Sequence, residues 1–99
     1  DWSSDVCSSD LDPGTILPRH QDTYKRYIEI FELENLHQSV YRAIVFLEDW
    51  QSGHHLEVAD ESITQWKAGD VVTWWYDTPH LAANMGTTPR YTLQITGHV

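Results

Sequence analysis

Val40-Tyr41-Arg42-Ala43-Ile44-Val45-Phe46-Leu47-Glu48-Asp49 is the strongest strand signal in the chain, rich in β-branched and aromatic residues. Apolarity this nearly continuous suits a strand covered on both faces, so it is expected to be central and buried. Trp50-Gln51-Ser52-Gly53 closes it with a turn. Short strands follow at residues 55–59 and 62–66, around Asp60-Glu61. Lys67-Ala68-Gly69-Asp70 then turns tightly into a strand over 71–76. Asp77-Thr78-Pro79 breaks that strand, residues 80–85 continue, Gly86-Thr87-Thr88-Pro89 turns again, and residues 90–98 end the chain as a strand. Short strands with turn signals every eight to twelve residues or so predict an antiparallel sandwich or barrel.

Upstream, Asp12-Pro13-Gly14 is a turn signal before a strand over 15–22, in which Pro18 favours an edge or a bulge. Tyr24, Tyr27, Ile28 and Phe31 recur at helical spacing and predict a short helix over 24–33, although Ile28 and Ile30 would also suit a strand. Residues 1–11 have neither periodicity and read as adapter-like or disordered sequence outside the fold. Residues 12–99 then form the core, with about seven strands and the first one missing.

Ninety-nine residues with 40% hydrophobic content make one small domain. Fifteen acids against six Lys+Arg give a net charge of −9, or −6 without the first eleven residues. That charge repels phosphate backbones and anionic membrane surfaces, so neither nucleic acid nor membrane is an expected partner. Cys7 is the sole cysteine, which excludes an intrachain disulfide and a cysteine-based zinc site. With no apolar run of membrane-spanning length and no leader pattern, a cytoplasmic location is the expectation.

Chemistry concentrates in Pro18-Arg19-His20-Gln21-Asp22-Thr23 and, far downstream, Pro79-His80 and Arg90-Tyr91-Thr92. On a strand, His20 and Asp22 project to the same face, about 6.6 Å apart at ~3.3 Å per residue. His80 is placed to add a third ligand from another strand. Two histidines and a carboxylate on one side of a metal leave its other positions open, the facial arrangement of non-haem Fe(II) oxygenases. His-x-Asp alone is weak, because six histidines and many acids produce it by chance. The wider pattern is more specific: a Gly-Asp turn and a strand precede His80, Arg90 lies ten residues beyond it, and Thr92 two further on.

Residues 13–98 resemble the iron(II)/2-oxoglutarate-dependent dioxygenases, nearest in flavour to their prolyl-hydroxylase-like and phage or marine-bacterial branches. Leu47-Glu48-Asp49-Trp50 and Trp66-Lys67-Ala68-Gly69-Asp70 look like that family's middle hairpins. The resemblance implies an all-β double-stranded β-helix, a cupin-like jelly roll, with one short helix after the first ligand strand. It implies His20, Asp22 and His80 as catalytic iron ligands, and 2-oxoglutarate and O2 as cosubstrates. Arg90 would clamp the far carboxylate of 2-oxoglutarate through a bidentate pair, with Thr92 adding a hydroxyl. The reaction implied is hydroxylation of a C–H bond in a small-molecule or peptide substrate, with release of succinate and CO2.

Arg42 stands second to Arg90 for that carboxylate and suits a buried ion pair better still. His54 and His55 face opposite ways, and a post-glycine turn is a usual solvated place for histidine. His37 and His98 read as exposed. Tyr24 and Tyr27 follow the ligand strand closely enough to line an entrance, and Trp74 and Trp75 divide between core and rim. Two other functions fit the same residues: a non-catalytic cupin-like binding module, and a hydrolase or isomerase using zinc or another metal on His/Asp/His.

Overall fold

Alternation along Val40–Phe46 sorts Arg42, Ile44 and Phe46 onto one face, and that face is the inside of the molecule. The computed structural model describes residues 4–32 and 40–99. Its elements are β1 (Ser4–Ser8), β2 (Thr15–His20), α1 (Lys25–Phe31), β3 (Val40–Phe46), β4 (His54–Val58), β5 (Glu61–Ile63), β6 (Val71–Trp75), β7 (His80–Asn84) and β8 (Thr92–His98). Two four-stranded sheets result, in the orders β1-β8-β3-β6 and β2-β7-β4-β5, with every described pairing antiparallel.

The expected central strand is indeed interior to its sheet. Arg42 pairs with Trp74 on β6 and with Thr96 on β8, while Phe46 pairs with Thr92. Ile44, Phe46, Leu56, Trp66, Trp74 and Ala82 form the core between the sheets, and the Phe46 and Trp66 rings stack at 3.9 Å. Dispersion and burial over such flat rings are the main cohesion available to a domain this small. A second cluster, Tyr24, Tyr27 and Val40 with Ile28, Phe31 and Tyr76, seats α1 against one end of the β3 sheet.

Three local expectations are corrected. Ser4–Ser8 lies inside the fold, paired with β8 from Ser4↔Gly97 to Ser8↔Leu93, and Leu11 is buried in the core. Pairing of this kind uses backbone donors and acceptors, which side-chain periodicity does not report, and an open strand edge takes any extended segment. It supplies the eighth strand. Second, β2 ends at His20, so Asp22 lies just beyond the strand; a register shift between Leu17 and His20 accompanies Pro18, which has no N–H to give the ladder. Third, α1 is shorter than expected, because Tyr24 and Glu32 at its two ends adopt left-handed backbone conformations.

The turns before β4 and after β7 touch at Gly53 and Gly86. A Cβ on Gly53 would run into the Gly86 backbone, and its φ of 93° already favours glycine. This close crossing holds the ends of β4 and β7 together, since Met85 N–H donates to the Gly53 carbonyl at 2.8 Å. No helix among the described residues is long and apolar enough to cross a membrane.

Candidate metal centre

β2 and β7 place His20 and His80 as direct cross-strand partners, the last residue of one strand opposite the first of the other. Their ring centroids are 4.4 Å apart. Each imidazole is locked by its own backbone: His20 Nδ1 lies 2.6 Å from the Pro18 carbonyl and His80 Nδ1 3.0 Å from that of Thr78. Nδ1–H therefore donates in both rings, the arrangement in which each Nε2 would be a lone-pair donor to an ion; a hydrogen bond to Asp22 is made where Nε2 carries a proton instead. Both Nε2 atoms point at one carboxylate. His20 Nε2 is 3.4 Å from Asp22 Oδ1, and His80 Nε2 is 3.2 Å from Asp22 Oδ2.

Arg42 fixes Asp22 from the other side. Its Nη1 donates to Oδ2 at 2.7 Å, while Nε and Nη2 both donate to Thr96 Oγ1, at 3.3 and 3.1 Å. The guanidinium also lies over the Tyr24 ring, 4.6 Å from its centroid. The ion pair read for Arg42 is present, part-buried rather than buried, and all three of its nitrogens are engaged.

His80's hydrogen bond is the largest influence holding the Asp22 carboxyl below its ordinary value of 3.8. Burial opposes this, and the charges of Arg42, His80 and His20 reinforce it. A carboxyl whose folded pKa is depressed contributes stability above the unfolded value, and that stability is lost as pH falls through the folded one. Asp22→Asn should therefore destabilise the metal-free protein at pH 7 by about 1 kcal/mol after solvent screening. The gap to wild type should narrow below pH 3.8 and close once Asp22 is protonated in both states. Denaturant unfolding across pH 2–7 measures it; a gap constant with pH would refute the charged role of Asp22.

One ligand atom from each of His20, Asp22 and His80 can be chosen so that all three lie within 4.8 Å of one another. Around an ion at about 2.1 Å, neighbouring donors lie roughly 3.0 Å apart in octahedral and roughly 3.4 Å apart in tetrahedral geometry. The donor set suits a divalent transition metal, and the His–Asp separations of 3.4 and 3.2 Å match donor spacings around one ion. Trp74 packs 4.8 Å from the His80 ring and covers that side.

Arg90 and Thr92, expected beside these ligands, are not brought to them. Thr92 is fully buried, and its hydroxyl is occupied in donating to the Ser9 carbonyl beyond β1. Arg90 bridges Leu11 just ahead of β8 and lines a cavity of about 350 Å³ with His54, Trp66 and Thr88, a lining that includes none of the three ligands. Its side chain is 6% exposed, burial pushes the guanidinium pKa down, and Nε and Nη1 have no partner.

His54 also departs from its solvated reading. It is buried on the inner face of β4, its Nε2 2.9 Å from the Thr88 carbonyl and its Nδ1 unpartnered. His55 faces outward near Glu57 as expected, and His98 is only part-exposed, within 2.7 Å of the Tyr27 hydroxyl. His37 lies outside the described residues. Tyr24, read as lining an entrance, and Trp74, read as core or rim, are both buried beside the ligands, and neither the Tyr24 hydroxyl nor the Trp74 indole N–H has a hydrogen-bond partner among the described residues.

No protein-family model matches the chain, and no curated protein does. Solved structures do. A predicted oxalate decarboxylase from Thermotoga maritima superposes with a TM-score of 0.64 at 17% identity, covering 95% of this chain and 65% of that one. The cupin domain of Schizosaccharomyces pombe Cnp3 gives 0.67 at 9% identity, covering all of this chain and 58% of that one. KdgF from Halomonas sp. gives 0.64 at 13%, covering 96% and 68%. The chain thus spans about three-fifths of the length of the first two, and at these identities the likeness concerns the fold. In fold, the chain is a cupin-like double-stranded β-helix with a candidate His/Asp/His metal site where β2 meets β7.

Proposed function

We propose that this chain is the core of an Fe(II)- and 2-oxoglutarate-dependent dioxygenase that hydroxylates a C–H bond and releases succinate and CO2. The observation that carries the reading is the pair of backbone-locked histidines whose Nε2 atoms converge on Asp22. Bound by His20, Asp22 and His80, iron would supply oxygen activation coupled to oxidative decarboxylation of the keto acid. The residues around it bind, orient and shield. Arg42 and Thr96 hold the carboxylate's rotamer and Trp74 packs against one side of His80, while Arg90, in a cavity whose lining includes none of the ligands, would anchor the far carboxylate only where the keto acid spans from one to the other.

A zinc hydrolase or isomerase on the same three ligands is the second reading, and metal preference separates the two. A cupin-like binding module would need no open metal positions at all. The deciding experiment adds Fe(II) and 2-oxoglutarate without oxygen, then admits air. The expected result is a visible charge-transfer band on mixing and succinate after aeration, with Zn(II) giving neither. Absence of both with Fe(II), or activity with Zn(II) alone, would overturn the proposal.

A further inference from the structure

Tyr24 is a bulky residue in a left-handed backbone conformation, φ 54° and ψ 23°. L-residues with a Cβ rarely adopt it, and such outliers persist where surrounding structure holds them for a purpose. Here the turn swings the ring inward under Arg42, leaving the side chain 7% exposed and its hydroxyl without a partner. Asp22 and Trp74 lie close enough to act on the phenol.

Tyr24 lines a cavity of about 1350 Å³ that also reaches Asp22 and Arg42. The walls divide by chemistry. Lys25, Arg26 and Arg42 bring half of the chain's six Lys+Arg to this one opening, in a protein of net charge −9. Of the two acids among the described lining residues, Asp22 pairs with Arg42 so that those charges cancel, and Lys25 and Arg26 stand against Glu29. The other wall is apolar: Tyr27, Phe31 and Ile30, the last 62% exposed.

We propose that this cavity is the substrate site and that it selects an organic acid, the carboxylate received by the Tyr24 hydroxyl and the Lys25/Arg26 rim and the hydrocarbon part laid along Tyr27, Ile30 and Phe31. Calling the ligand a substrate rests on the oxygenase reading; the preference for an acid does not. Cationic rims raise the local concentration of anions, and a buried donor that loses its only partner penalises ligands without an acceptor.

The test uses metal-free protein, so it is independent of turnover. 4-Phenylbutyrate, 4-phenylbutanol and 4-phenylbutylamine are titrated with tryptophan fluorescence and ligand-observed NMR as readouts. The acid should bind at least ten-fold more tightly than the alcohol, and the amine more weakly still. Tyr24→Phe should weaken the acid about ten-fold and leave the alcohol unchanged, which a merely structural loss would not do. The surface variant Lys25→Glu/Arg26→Glu should reverse the order of acid and amine. Equal binding of all three probes, or an unchanged order in the double variant, would refute the acid preference even if the iron assay succeeds. A positive order with no succinate would instead retain the binding site and remove the oxygenase.

Discussion

His80→Ala should abolish 2-oxoglutarate-linked CO2 release and weaken Fe(II) binding by more than the roughly 10–100-fold that loss of a supporting contact costs. The reason is geometric. His80 is the most buried of the three candidate ligands, its side chain 10% exposed against 40% for His20, and it alone faces both Asp22 and Trp74. With it gone, Asp22 keeps Arg42 and His20, but the donor set drops to two and no longer defines one face of an ion. His80→Gln is the control for packing: it fills similar space beside Trp74 without imidazole. Turnover near wild type in either variant would remove the metal assignment. Metal titration monitored by the d–d bands of Co(II) gives a second readout that does not depend on knowing the substrate.

The sequence carried the strand series and the three ligands because both are local in kind. The run 40–49 delivered β3, ending at Phe46, and the turns at Gly53, Gly69 and Gly86 fell where the chain reverses. His20, Asp22 and His80 were legible because only His and carboxylates suit that chemistry. What stayed hidden depends on pairings between distant segments. That Arg42 reaches Asp22 follows from α1 and β3 packing at one end of a sheet. That Thr92 gives its hydroxyl to Ser9 follows from β1 joining β8 through backbone bonds, to which its Ser- and Asp-containing side chains give no clue. His54 read as solvated because it follows a glycine turn, yet the partner Asn84 across the ladder and the Trp66 ring above it make the position interior. Polar residues facing inward are the ones that periodicity misplaces, since their type says surface while their register says core.

Arg90→Met should raise the KM for 2-oxoglutarate about 100-fold or more while leaving the fold as stable as before, or more so. A buried guanidinium with Nε and Nη1 unpartnered is a cost to the folded chain, and an isosteric apolar side chain removes that cost. Losing a desolvated charge partner costs a carboxylate ligand about 2–5 kcal/mol, and about 2.8 kcal/mol already corresponds to 100-fold. Stability and affinity therefore move in opposite directions, a combination that simple structural damage does not produce. Arg90→Lys should recover only part of the affinity, because one ammonium cannot reproduce a fork of two parallel donors. Urea unfolding of the metal-free variants and succinate kinetics at varied 2-oxoglutarate supply the two axes. The same experiment decides between the two arginines: Arg42 is saturated by Asp22 and Thr96, whereas Arg90 waits in a cavity whose lining does not include the ligands. If KM is unchanged in Arg90→Met, the keto acid does not reach that cavity, and any anchor must lie on the Asp22 side of the barrel, where Arg42 would have to exchange one of its protein contacts for the ligand.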